Sequence, residues 1–465
     1  MYLYEKLNQY AAEEYYPFHM PGHKRNSQLM KPMQPYAFDI TEIDGFDNLH
    51  DAEGIILKSM KRAARVYHSQ NTFYLVNGST AGILTGISAC TNKGDKILMA
   101  RNCHKSAYHA VFLNELNPVY LYPQYDEKRG IQCGYSAKYI EEMLIKNQDV
   151  SLIVLVSPTY EGVVSEIEEI CKIAHQHKIP VLVDEAHGAH FHFHEAFPES
   201  AVDLGADIVI QSVHKTLPAF TQTALLHVNS KLVALEKVRA YSAIYQTSSP
   251  SYIFMAGIDA CMDLIETRGE ELFQHLVRQL KDFYSEMKVL KHLKIVDFKG
   301  RDMSKIMIST KESNMTGKQL YDILLNNYKI QMEMMEAEYV LAIASVGDVP
   351  EGFTRLKTAL MEIDAAAQPK KNQETVSYEV VKAIVVCTQY EAFHMEKKLC
   401  VLEESIGHIS GDFVYLYPPG IPILAPGELI QKNIVDRIYS YLESGLSVKG
   451  LVKEEYLQVI ENYCN

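Results

Sequence analysis

The amino-acid sequence predicts an α/β fold, with a large domain on a mostly parallel sheet followed by a smaller C-terminal α+β domain. Two observations carry that expectation. From about residue 55, apolar runs of strand length alternate with segments of helical period. The runs are near-continuous in Val, Ile and Leu, as strands are when helices cover both faces of a parallel sheet.

Residues 1–36 hold Pro17, Pro21, Gly22, Pro32 and Pro35, and are expected to form an irregular N-terminal arm. The large domain is expected over 37–310. Its strands are expected at 72–76, 96–100, 119–122, 151–157, 179–184, 206–210 and 223–228. Val163, Val164, Ile167, Ile170 and Cys171 recur at helical spacing and predict a helix over 161–178. After about residue 250 the rhythm slows. Residues 253–290 read as long helix, 294–310 and 339–345 as strands, and 316–328 as helix. Residues 311–370 then form a connecting, small-domain segment. The polar stretch AAAQPKKNQET at 365–375 is the best linker candidate, and 371–465 is expected to be the C-terminal α+β domain.

Of the 465 residues, 47% are apolar and 22% charged, which fits a globular chain and excludes a disordered or collagen-like one. No apolar run approaches the roughly 20 residues that span a bilayer, so no membrane association is expected. Lys plus Arg number 45 against 58 Asp plus Glu, a net charge of −13, which argues against a nucleic-acid partner and leaves small charged substrates open. The N-terminus lacks a basic segment followed by an apolar core, so no secretory signal is expected. The eight cysteines are scattered without a CxxC pair, as in a reduced, cytoplasmic chain with no cysteine metal site.

Four segments stand at predicted strand ends, where open α/β sheets place ligands. In Asn77-Gly78-Ser79-Thr80, small residues at a strand-to-helix junction leave N–H groups free for a phosphate, and Ser79 and Thr80 add hydroxyls. A plain helix cap explains the same residues. His104 follows the strand at 96–100 and can stack on a planar group, or simply pack. Asp184 closes an apolar strand and, if buried, requires a charged or hydrogen-bonding partner. It equally reads as a turn cap, or as part of a metal site with His187 and His190. Lys215 follows the strand at 206–210. In a dry pocket its pKa is depressed, which suits Schiff-base chemistry, whereas taken alone a lysine there is usually solvated.

Together the four point to pyridoxal 5′-phosphate. That cofactor needs a phosphate cradle, a stacking ring, an acid for the pyridine nitrogen and a lysine for the aldehyde. The 31 residues from Asp184 to Lys215 allow one crossover and one strand, so both can face one pocket.

At these residues the chain resembles the bacterial ornithine/lysine/arginine decarboxylase family. The likeness extends to PFHMPGHK (17–24), DITEIDG (39–45), 101–106, SPTY (157–160), DEAHGAH (184–190), 212–216, YPPGIP (417–422) and PGE (426–428). The resemblance implies the aspartate-aminotransferase fold (type I among pyridoxal phosphate enzymes). It implies that Lys215 carries the cofactor, Asp184 pairs with its ring nitrogen and His104 stacks on the ring. Gly78 would belong to the cofactor cradle, and Ser79, Thr80, Ser212 and His214 would hold the phosphate. His187 would lie near O3′, and Ser248, in the run 247–249, would reach the phosphate of a neighbouring subunit in a homodimer. Larger members carry an N-terminal domain the size of a response regulator ahead of the His19 motif. This chain starts close to that motif and resembles the short arginine decarboxylases of Gram-positive bacteria. It departs from many relatives in having Ala52 where they have Pro.

The expected reaction is decarboxylation of arginine, lysine or ornithine to a polyamine-type amine and CO2, with Lys215 or His214 returning a proton to Cα. Arginine is the preferred substrate. Glu333, Glu336 and Glu428 are candidates for meeting its distal cation. The alternatives are another enzyme of the same fold (an aminotransferase, aldolase or desulfurase) or a non-catalytic homologue. The YPPGIP–PGE segment and the presence of both Lys215 and Asp184 favour the decarboxylase.

Overall fold

A computed structural model describes residues 2–370, 381–417, 420–453 and 455–461. The apolar runs form a seven-stranded sheet. Its spatial order is Asn71–Leu75, Ala224–Val228, Ile208–Gln211, Val181–Asp184, Val150–Val156, Lys96–Ala100 and Asn117–Leu121. Ala224–Val228 runs against both neighbours, and the other pairings are parallel. The expected mostly parallel sheet is therefore present. Because two antiparallel pairings cancel, Asn71–Leu75 points the same way as Val181–Asp184 and Ile208–Gln211. The C-terminal ends of these strands thus share one edge. The fifth strand begins at Val181 rather than 179, since Pro180 has no N–H for the ladder, although its carbonyl still accepts from Ile153 N.

The helix expected over 161–178 is shorter, Ile167–Gln176. Val163 lies in a turn that pairs with Arg301, and it packs against Met307, Met334 and Leu341 of a second sheet. Its apolar character serves that contact and not a helix face. The second sheet is antiparallel, in the order Lys294–Val296, Lys305–Ser309, Tyr339–Ile343 and Met334–Glu336. The expected boundary at 310 therefore falls within one sheet.

The arm is also more regular than its prolines suggest. Leu3–Ala12 is a helix and Tyr16–Phe18 a strand parallel to Ile330–Met332. The prolines begin only at residue 17, and the helix carries Leu3, Leu7, Tyr10 and Ala11 at helical spacing, although none of its side chains is buried. The 35-residue helix Tyr252–Glu286 joins arm, large sheet and second sheet through one apolar cluster. Helix Pro350–Ala366 runs into the expected linker, whose residues 371–375 lie outside the described residues. The C-terminal part forms small sheets around Lys397–Val401 with Tyr456–Ile460, and Val414–Leu416 with Pro422–Leu424 and Val448–Lys449, packed with helix Lys432–Glu443. Pro418 and Pro419 of the YPPGIP motif are outside the described residues. Among the described residues no helix is long and apolar enough to cross a membrane.

Candidate active site

The shared strand edge opens into a cavity of about 440 Å³. Gly78, Ser79, Thr80, His104, Asp184, His187, Ser212, His214 and Lys215 all line it. Each follows a strand of the large sheet, so the parallel topology brings together residues spread over 138 positions of sequence (78 to 215, both counted).

The helix Gly78–Cys90 starts with no side-chain cap. Asn77, at the cap position, instead accepts from Thr247 N at 3.4 Å. The first N–H groups of the helix are thus left for another acceptor, at the positive end of its dipole. Gly78 takes φ +73, a conformation glycine adopts without strain. Ser79 Oγ lies 2.6 Å from Ser212 Oγ, so hydroxyls from two strand ends meet there.

His104 caps the helix Lys105–Leu113, its Nδ1 accepting from Ser106 N at 3.3 Å and lying 2.9 Å from Ser106 Oγ. Burial, then Lys215, lowers its pKa to about 4, so the ring facing the cavity is neutral. Asp184 is 7% exposed, and its Oδ1 accepts from Ala186 N at 3.1 Å. Burial raises its pKa, while Lys215 pulls the other way. Lys215 is lowered by burial, against the pull of Asp184 and Glu333. Its Nζ lies 2.9 Å from His187 Nε2. His187 also packs on Tyr160, with ring centroids 4.4 Å apart, and burial and the two lysines beside it hold its pKa well down.

His214 lines the cavity as expected. Its Nδ1 is 2.8 Å from the carbonyl of Thr223, so Nδ1 carries the proton and Nε2 is left as an acceptor. Burial lowers its pKa to about 4. Its ring is therefore neutral in this structure, with the Nδ1 proton committed to the Thr223 carbonyl. Ser248 is exposed and does not line the cavity of its own chain. Asp184, His187 and His190 do not converge as metal ligands, because His190 turns to Asp302 (3.2 Å) and Ser304. Among the described residues the grouping with metal-ligand proximity is His68, His192 and Asp203, none of which lines the cavity.

The three candidate carboxylates separate. Glu428 is 1% exposed, and its Oε2 pairs with Arg101 at 3.0 Å while accepting from Ala425 N, so it ties the C-terminal part to the large domain. Its Oε1 has no hydrogen-bond partner among the described residues, but Glu428 does not line the cavity. Glu333 accepts from Met20 N at 2.9 Å and from the Tyr160 hydroxyl. Glu336 lines the cavity, and burial, then the charge of Glu161, raises its pKa to about 8. Glu161 was not singled out in the sequence. It lines the cavity and accepts from Tyr339 and Thr159 hydroxyls, each at 2.9 Å. It stands two residues past the strand-end SPT run, and that position is the signal that marks it.

The turn bearing Lys215 is held from outside the sheet. Gly22 N donates to His214 O at 2.7 Å, and a Cβ on Gly22 would lie 2.6 Å from Leu217 O. Lys24, itself buried, fixes this part of the arm by donating to His19 O and Ile343 O at 2.8 and 2.7 Å.

Two family models match the chain: Orn/Lys/Arg decarboxylase, major domain, over residues 2–340, and the C-terminal domain of the same family over 371–449. An arginine decarboxylase of Bacillus anthracis is 31% identical, covering 99% of this chain and 97% of its own length. One from Bacillus subtilis (strain 168) is 32% identical, covering 96% and 95%. In solved structures, the constitutive lysine decarboxylase of E. coli superposes with a TM-score of 0.77 at 19% identity, over 89% of this chain and 73% of that one. An alanine–glyoxylate aminotransferase from Nostoc sp. superposes with a TM-score of 0.58 at 13% identity, over 76% and 96%. These structural likenesses show the fold, that of type I pyridoxal phosphate enzymes. With the major-domain model matched over most of its length and near-complete relatives above 30% identity, the chain belongs to the Orn/Lys/Arg decarboxylase family and is a decarboxylase of a basic amino acid.

Proposed function

We propose that the chain binds pyridoxal 5′-phosphate at Lys215 and decarboxylates arginine to agmatine and CO2, as a cytoplasmic homodimer with shared active sites. The observation that carries the reading is one cavity lined by Lys215 and the buried acid Asp184 and also by Glu336 and Glu161. The residues fit the cofactor. An uncapped helix start with Ser79, Thr80 and Ser212 suits a phosphate. A neutral His104 ring suits stacking, and a buried Asp184 otherwise held by one N–H suits a ring nitrogen. When bound, the cofactor supplies an electron-withdrawing ring conjugated to the substrate Cα.

The chain's own residues do the rest. Asp184 keeps the ring nitrogen charged. With the cofactor bound, His104 would exclude water from its ring. Lys215 would hold the proton that returns to Cα, since the Nδ1 proton of His214 is tied to the Thr223 carbonyl. Glu336 and Glu161 receive the guanidinium, whose charge offsets the mutual repulsion of the two acids. Arginine is preferred because four relatives that each match more than nine-tenths of this chain carry that name. A lysine decarboxylase of Pseudomonas aeruginosa matches 60% of this chain at 24% identity. The test is to load the protein with cofactor, reduce it with borohydride and map peptides by mass. A pyridoxyl adduct on Lys215 is expected. An adduct elsewhere, or none, contradicts the assignment.

A further inference from the structure

Lys305 is a buried charged group that the scheme above leaves unused. It opens the strand Lys305–Ser309, and its side chain is fully buried. A buried ammonium needs partners. Its Nζ lies 3.3 Å from His187 Nδ1. His187 meets Lys215 through its other nitrogen, at 2.9 Å. One imidazole thus stands between two lysine amines.

The proton count of that row is restrictive. A neutral imidazole carries one N–H and one lone pair, so it accepts from one amine and donates to the other. An ammonium has donors and no lone pair, so the amine that accepts is neutral. A doubly protonated ring is disfavoured by burial and by both lysines. The row therefore holds at most one ammonium, either on Lys305 with Lys215 neutral or the reverse. The surrounding charges decide. Asp302 is fully buried and its Oδ2 has no hydrogen-bond partner among the described residues. Burial acts to raise its pKa, but His190 and then Lys305 and Ser304 bring it down to about 2, so it is ionised. It acts on Lys305. Glu333 acts on both lysines, Lys215 and then Lys24 add repulsion at Lys305, and Asp184 acts on Lys215. Asp184, however, is raised by burial, and in the proposed reading it serves the cofactor ring.

We infer that Lys305 is a positioning residue: its ammonium donates to His187 Nδ1, fixes the ring proton on Nε2, and leaves Lys215 a neutral, nucleophilic amine. The inference rests on the reading of Lys215 as the cofactor-bearing residue. Condensation with the cofactor aldehyde then proceeds without prior deprotonation. The amine nitrogen bonds to the aldehyde carbon, and the carbonyl oxygen leaves as water with the two nitrogen protons.

The experiment uses cofactor-free protein labelled with ¹⁵N-histidine, with His187 assigned through His187→Asn. The ring nitrogens report the tautomer, and the rise of visible absorbance after adding pyridoxal 5′-phosphate reports the reactivity of Lys215. In the wild type, Nε2 is expected to carry the proton. Lys305→Met should release the tautomer and slow cofactor uptake at pH 7 by about 10-fold, the effect of a one-unit rise in the Lys215 pKa. Lys305→Gln, which retains a donor without the charge, should keep the tautomer. A wild-type ring protonated on Nδ1 overturns the inference without any variant. An unchanged tautomer or an unchanged uptake rate in Lys305→Met also overturns it. If the wild type takes up no cofactor yet its His187 proton sits on Nε2 and moves in Lys305→Met, the cofactor reading fails while the effect of Lys305 on His187 stands.

Discussion

Asp184 and Glu336 are both acids in one cavity, and their settings give them different tasks. Asp184 ends a buried strand within the influence of Lys215, whereas Glu336 faces Glu161. Asp184→Asn is expected to retain bound cofactor and lose turnover on the order of 10²–10³-fold, the typical loss when one preorganised electrostatic partner goes. Absorbance and kcat measured on the same preparation check this. Glu336 must ionise to meet a cation, and burial, with Glu161, places that ionisation at about pH 8. KM for arginine should therefore fall as pH rises through about 8, because the ionised form accumulates above the pKa. Glu336→Gln should flatten that dependence and raise KM by about 10- to 150-fold, the worth of a charged hydrogen bond. A KM profile identical to wild type would remove Glu336 from substrate recognition.

The elements that hold the site come from three parts of the chain. The Gly22 turn presses on the Lys215 turn closely enough that Gly22→Ala must displace Leu217. A loss of roughly 1–3 kcal/mol of stability is expected, together with weaker cofactor retention. Denaturation and absorbance read the two effects separately. Arg101 and Glu428 join the large domain to the C-terminal part across 327 residues. Glu428→Ala leaves a buried guanidinium unpaired, so roughly 3–5 kcal/mol of stability should be lost in urea denaturation. The strands were legible in the sequence because burial on both faces leaves an unbroken apolar run. The cofactor-side residues were legible because each follows such a run. Lys305 and the partner of Glu428 were not, since they reach their places through a second sheet and long-range pairing that local pattern does not encode. The helix Leu3–Ala12 was masked by the prolines and glycine that follow from residue 17, although Leu3, Leu7, Tyr10 and Ala11 recur at helical spacing.

At the scale of the whole molecule, the proposed homodimer makes its own prediction. Ser248 is exposed and absent from its own cavity, as a residue serving a partner's site would be. Mixing Lys215→Ala protein with Ser248→Ala protein, each nearly inactive alone, should restore activity up to half of wild type per hybrid. Activity that stays at the parental sum after verified subunit exchange contradicts shared sites. The central claim is that this cavity removes CO2 from arginine and returns a proton to Cα. Its most direct test is turnover of arginine in D2O with cofactor present, with products identified by mass spectrometry. The expected result is CO2 and agmatine carrying one deuterium on the former Cα, with neither product formed by Lys215→Ala. A keto acid in place of the amine, or no turnover of arginine, lysine or ornithine by cofactor-loaded protein, would contradict the account.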